Sequence, residues 1–150
     1  MKKLIAILVI NFIRLSGNAQ INPIHWNFSA RQLSKTQYEI HLKATIDKGW
    51  HIGAQEQPKE ALASPTIIDY QKNPILRLIG RPKESGKKQL YENKMIGVKQ
   101  YQYEQEVDFV QLVTLKAPTK TSINGTIRYQ SCTDEKCLPV KSVTFTVRIE

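Results

Sequence analysis

The 150 residues predict an all-β domain, an antiparallel sandwich, on three observations. Tyr38-Glu-Ile40-His-Leu42-Lys-Ala44-Thr-Ile46 and Val143-Thr-Phe145-Thr-Val147-Arg-Ile149 alternate apolar and polar side chains, the period of a strand with one face in a core. No window sustains a period of 3.6. Pro, Gly and Asn punctuate the chain at 58, 65, 74, 80, 82, 86, 118 and 124–125. Many short strands separated by turn residues argue for two antiparallel layers rather than a parallel sheet. No repeat, low-complexity tract or second domain interrupts the pattern.

Met1-Lys2-Lys3, the apolar run Leu4 to Ile10 and the small residues Gly17-Asn18-Ala19 have the form of a cleavable secretory signal at residues 1–19. Arg14 interrupts the run too early for a membrane anchor, which needs roughly 20 apolar residues. No cysteine lies near the cleavage point, so lipid attachment there is not expected. No later segment is apolar enough to span a bilayer, and stable membrane insertion is not expected. Residues 20–150 then form one exported domain, long enough for a real core. Its compartment is oxidising.

Within that domain, Tyr38–Ile46 ends in the turn Asp47-Lys48-Gly49. Further strands are expected at Thr66–Tyr70, Ile75–Ile79, Glu106–Leu115 and Thr126–Ser131, with Val143–Ile149 last. Residues 81–105, rich in Lys, Gln, Tyr and Glu, read as a long loop over one end of the sandwich. Trp50 and Tyr129 read as core aromatics. Tyr91, Tyr101 and Tyr103, in the irregular segment, read as partner-facing.

The net charge of +9 excludes little. Lys2, Lys3 and Arg14 belong to the signal, and the remaining lysines are scattered. Export and the lack of an arginine–aromatic pattern argue against nucleic acid. Weak attraction to anionic lipid surfaces or acidic partners is the most this charge implies.

Chemistry concentrates at the only two cysteines, Cys132 and Cys137, separated by Thr133-Asp-Glu-Lys136 and flanked by β-type sequence. Directly opposed residues on antiparallel strands approach to about 4.5 Å at Cα. That lies at the short end of the roughly 4.4–6.8 Å a disulfide tolerates. A bond there is feasible but strained, and strained, exposed disulfides are the easily reduced ones. As a staple the pair is poorly placed. A six-residue ring is worth about 2 kcal/mol, whereas a bridge closing sixty or more residues would give over ~4 kcal/mol. The placement favours exchange chemistry, in which one thiolate attacks and the other cysteine resolves the mixed disulfide. Lys136 favours the Cys137 thiolate while Asp134 and Glu135 oppose it, so these neighbours do not decide which sulfur attacks.

Two other readings compete. The sandwich could be a protein-binding module whose bridge merely holds a hairpin. Alternatively, the cysteines and Met95 could carry a soft metal. His25, His41 and His51 lie far from the cysteines in sequence and show no ligand spacing, so they read as surface or packing histidines. No metal or other cofactor is expected.

With the cysteine motif in hand, the chain resembles the amino-terminal domain of DsbD, the thiol:disulfide interchange protein, from about Trp26 to Arg148. The resemblance rests on Gly49-Trp-His-Ile-Gly-Ala-Gln55, Ser64-Pro-Thr-Ile67, Val107-Asp-Phe109, and Gly125-Thr-Ile-Arg-Tyr129-Gln-Ser-Cys132 leading into Cys137-Leu-Pro139. It implies an immunoglobulin-like sandwich in the periplasm with a redox-active cysteine pair and a protein-disulfide reductase type of activity. In that family the pair takes electrons from a membrane partner and reduces disulfides of exported proteins. The recipients include disulfide isomerases and the thioredoxin-like proteins of cytochrome c maturation. By the family pattern Cys137 forms the mixed disulfide and Cys132 resolves it. A cap loop carrying an aromatic residue and acids shields the pair, and here it falls on Glu92, Asn93, Lys94, Met95 and Ile96.

The chain departs from that pattern in several places. Met95 or Ile96 takes the aromatic position, and Asn93 and Lys94 replace acids. Val140 stands where a second proline is common. The membrane electron-carrying segment and the thioredoxin-like domain are missing from the sequence, so a separate membrane protein is the expected electron donor.

Overall fold

A computed structural model describes residues 21–150. The expected signal at residues 1–19 lies outside the described residues. Nine strands follow in order: β1 (Ile24–Gln32), β2 (Gln37–Ile46), β3 (His51–Gly53), β4 (Ile67–Tyr70), β5 (Leu76–Asn93), β6 (Val98–Leu115), β7 (Thr121–Tyr129), β8 (Ser131–Cys132) and β9 (Lys141–Ile149). They form two antiparallel sheets. The larger runs β1-β2-β6-β3-β8 with β5 along β6, and the smaller runs β4-β7-β9. The architecture is an all-β, immunoglobulin-like sandwich. No helix among the described residues is long and apolar enough to cross a membrane.

The two clearest alternations sit on opposite sheets, which is why they make a core. In β2 the residues Tyr38, Ile40, Leu42, Ala44 and Ile46 are buried, and in β9 Phe145, Val147 and Ile149 are. Aromatic rings bridge the layers, Trp26 lying 5.4 Å from Tyr129 and Phe28 5.6 Å from Phe145, while within the smaller sheet Tyr70 meets Phe145 edge-on at 5.5 Å. Each large apolar side chain so buried contributes about 1.5–3 kcal/mol. Gly125 lets β7 pass close under this layer. A β-carbon there would collide with the Phe145 ring and the Asp69 carbonyl oxygen. Trp50 and Tyr129 pack with the core, as their strand-like setting suggests.

The expected loop over 81–105 is instead most of a long hairpin. β5 and β6 pair from Leu76↔Leu115 to Asn93↔Val98. The turn between them contains Gly97 at φ 68°. The strand pattern was invisible because the alternation here is not apolar against polar. On β6 the buried positions include Gln100 and Gln102, whose carboxamides are satisfied internally: Gln100 Nε2 donates to Gln102 Oε1 at 3.1 Å. Buried amides are tolerated when paired. On β5 most side chains are exposed, so no apolar face develops. Tyr103 is accordingly not partner-facing but buried, at 1% exposure. β1 and β3 are two further strands that the periodicity reading did not single out.

One irregularity positions the site. β5 covers one edge of β6, while the other edge is shared end to end by β2, along Glu106–Thr114, and β3, at Gln102 and Tyr103. The changeover falls at Gln105, whose φ is 63°, opposite the register shift between Gly86 and Lys88. Past that point β6 carries the short strands β3 and β8 outward, to the end of the sheet where the cysteines lie.

Candidate redox site at the edge of the larger sheet

Cys132 ends β8 and pairs with His51 of β3, one step after the pair Ile52↔Ser131. The chain then turns through Thr133–Lys136 and brings Cys137 opposite Cys132 in an isolated antiparallel bridge. The two sulfurs are bonded, and their Cα atoms stand 4.0 Å apart.

Hydrogen bonds brace the turn in addition to the disulfide. Thr133 N donates to Lys136 O at 2.7 Å, and Thr133 Oγ1 accepts the N–H groups of Glu135 and Lys136, each at 3.2 Å. Leu138 N then donates to Ser131 O at 2.8 Å, resuming the ladder beyond the ring. The side chain of Gln130 braces both sides, donating from Nε2 to Leu138 O at 3.0 Å and accepting Ser64 N–H at 2.9 Å.

The two sulfurs differ in access. Cys132 is 1% exposed, whereas Cys137 is on the surface. The difference arises because Cys132 continues a paired strand and Cys137 sits on the return of a surface turn. Local charge alone left the two cysteines undecided, and tertiary burial separates them.

Both cysteines line an open cavity of about 310 Å³ together with His51, Tyr91 and Ile96. Of the five residues expected as a cap, only Ile96 lines this cavity. Met95 is 97% exposed and outside it. Glu92 and Lys94 are exposed on the same hairpin end, and half-buried Asn93 shapes the turn by accepting Met95 N–H at 3.1 Å. Tyr91, two residues before Asn93, is the aromatic side chain that reaches the cavity.

His51, read from the sequence as a surface or packing histidine, is buried at the site, at 5% exposure. It lies far from Cys132 in sequence but directly opposite it across β3 and β8. Burial pushes its imidazole below the ordinary histidine value, and the negative charges of Asp134 and Glu104 pull the other way. A single-sequence scan had no signal for this, because the pairing joins strands separated by most of the domain. His41 instead bonds Asp108 at 2.7 Å, and His25 bonds Asp47 at 3.0 Å, both away from the cysteines. No cluster of three or more His, Cys, Asp or Glu among the described residues is arranged to hold a metal ion.

Fold and site together define a β-sandwich carrying a disulfide between one exposed and one buried cysteine at a sheet edge. Its fold is that of the N-terminal periplasmic domains of ScsB and DsbD. The N-terminal periplasmic domain of ScsB from Proteus mirabilis matches with a TM-score of 0.53 and 14% identity, over 82% of this chain and 44% of that one. This chain thus spans less than half of that ScsB chain. A structure of the complex between the DsbD N-terminal and PilB N-terminal domains from Neisseria meningitidis matches at 0.51 and 14%, over 86% and 88%. The reduced DsbD N-terminal domain from Neisseria meningitidis is similar at 0.49 and 17%, over 75% and 83%. No family model and no curated protein matches the chain.

Proposed function

We propose that this protein is a periplasmic thiol–disulfide exchange domain that passes reducing equivalents through Cys132 and Cys137 to disulfides of other exported proteins. The observation that carries the reading is the asymmetry of one bonded pair: Cys137 is open to a partner while Cys132 waits behind it, 1% exposed.

The chemistry follows from that arrangement. In the reduced protein the Cys137 thiolate attacks one sulfur of a partner disulfide, and the partner's other sulfur leaves as a thiolate. Cys132 then attacks Cys137 in the mixed disulfide and expels the partner's remaining sulfur. The internal bond closes, and two electrons have moved to the partner. Ring closure is prepared by the backbone, because the Thr133–Lys136 and Ser131–Leu138 hydrogen bonds keep the cysteines opposed when their bond is open. Such positioning raises the effective concentration of the resolving sulfur.

Thioredoxin-like exported proteins, of the disulfide isomerase or cytochrome c maturation type, are the proposed recipients. A structure pairing the DsbD N-terminal domain with the PilB N-terminal domain supports a protein partner for this fold. Electrons would be returned by a separate membrane donor, and residues 1–19 would direct export. The hairpin end, through Tyr91 and Ile96, would gate approach to the sulfurs.

Trapping tests the reading. Reduced Cys132→Ser protein should capture a thioredoxin-like partner through a disulfide to Cys137, and Cys137→Ser should capture none. Failure to trap any such partner, while Cys137 still reacts with small disulfides, would overturn it.

A further inference from the structure

The exchange reading leaves one step without a visible agent. Cys132 attacks only as a thiolate, yet the residue is 1% exposed, whereas Cys137 is on the surface. An ordinary thiol, with a pKa of about 8.5, is mostly protonated at neutral pH, and burial raises that value. Something beside Cys132 has to take the proton.

The geometry points to His51 as that group: we propose that its imidazole accepts the Sγ proton of Cys132 in the resolving step. The inference rests on the exchange reading of the site. His51 and Cys132 are direct partners across an antiparallel pair, so their side chains stand on the same face, with Cβ atoms typically about 4.5–5.5 Å apart. Cys137 is the next position across the sheet, so imidazole, resolving sulfur and attacking sulfur lie in one row. All three line the same cavity. His51 is itself 5% exposed, and among the described residues its ring has no hydrogen-bond partner, so a ring nitrogen remains available as acceptor.

The surroundings suit a base rather than a permanent cation. Burial holds the imidazole below the ordinary histidine value, so it is neutral at neutral pH and able to accept. The charges acting on it are Glu104 from β6 and Asp134 from the ring, and Glu135, Lys136 and Tyr91 line the same cavity. Because Ile52 pairs with Tyr103, Glu104 falls level with His51 on the side away from Cys132. Glu104 is held there by Gln102 Nε2 at 3.4 Å, itself tied to buried Gln100. Glu104 and Asp134 stabilise the imidazolium once it forms.

In the balanced step, the Cys132 thiol gives its proton to His51 and its thiolate attacks Cys137 Sγ in the mixed disulfide. The Cys132–Cys137 bond forms and the Cys137–partner bond breaks. The electron pair of the broken bond stays on the partner sulfur, which is protonated from solvent. The imidazolium returns its proton to water past Glu104 or Asp134.

Stopped-flow reaction of the reduced protein with 5,5′-dithiobis-(2-nitrobenzoic acid) separates the two steps. The first thionitrobenzoate is released as Cys137 attacks, with a rate set by reagent concentration. The second is released as Cys132 resolves, with a rate independent of it. In the natural protein the second rate should rise as His51 loses its proton below the ordinary histidine pKa of about 6.5 and then stay flat toward pH 8. In His51→Gln it should be slower at pH 7 by about 10²-fold, the low end of general-base effects. It should also climb about tenfold per pH unit into the thiol range. The first phase should not change.

A natural-protein profile that climbs like a free thiol, or a His51→Gln profile identical to it, would overturn the role of His51. The natural profile alone decides the matter if the variant does not fold. Failure of the exchange reading would show separately, as an absence of partner trapping by Cys132→Ser while the natural protein shows both small-disulfide phases.

Discussion

The backbone N–H of Ser64 donates to the side chain of Gln130 at 2.9 Å, tying the 61–65 segment to the residue that immediately precedes the cysteine strand. The same carboxamide holds the Leu138 carbonyl on the far side of the ring. One half-buried side chain therefore braces both flanks of the disulfide. Gln130→Ala should destabilise the protein by about 1–3 kcal/mol, since it strands two backbone groups as well as removing two bonds. Urea unfolding measures the loss, and amide exchange should quicken at Ser64 while Thr133 stays protected. Unchanged exchange at Ser64 would contradict the bracing role.

Reduction should leave the domain folded. The ring closed by Cys132 and Cys137 is short, and its entropic contribution is only about 2 kcal/mol. The two-sheet core does not depend on it. Far-ultraviolet circular dichroism should match between oxidised and reduced protein, with a melting temperature lower by roughly 4–8 °C in the reduced form. Loss of the β signal on reduction would mean that the bridge is structural after all.

The two thiols should label unequally. With Cys132 1% exposed and Cys137 on the surface, limiting iodoacetamide should modify Cys137 first by at least about tenfold. Peptide mass spectrometry reads the ratio directly. Replacing Ile96, which lines the cavity over the sulfurs, by alanine should speed labelling of Cys137, whereas Met95→Ala, outside the cavity, should not.

Glu84 gives the molecule an acid-sensitive joint. Burial raises its carboxyl, but the Gln55 N–H at 2.6 Å, the Lys88 ammonium at 2.5 Å and the Tyr103 hydroxyl at 2.9 Å outweigh it and leave the pKa below the ordinary value. A lowered folded-state pKa means stabilisation that is complete above the unfolded carboxyl value of about 4.3 and is lost as pH falls through the folded value. Glu84→Gln should therefore be less stable than the natural protein at pH 7, with the difference shrinking through the acid range. Denaturant midpoints measured across pH 2–7 check the sign, and a difference that does not shrink toward acid would refute the linkage.

How far the chain could be read without coordinates depended on where its alternation was apolar. β2 and β9 are legible because one face of each enters the core, so Ile40, Leu42, Phe145 and Val147 mark the strand period by hydrophobicity. The cysteine turn is legible too, since its polar residues and short spacing are local. β6 across 98–105 was hidden because Gln100 and Gln102 occupy its buried positions and satisfy their amides there. Hydrogen bonding made burial possible without any apolar signature.

What the amino-acid order determined by itself was a sandwich of short strands with two opposable thiols at a turn. Those are short-range properties, set by side-chain period and by the few residues between Cys132 and Cys137. Tertiary structure alone decided which sulfur faces solvent, that Tyr91 and Ile96 overlook the pair, and that His51 stands opposite Cys132. Each of those depends on strand pairing between distant segments. Register there is chosen by the packing of the whole core, with no trace in the local sequence.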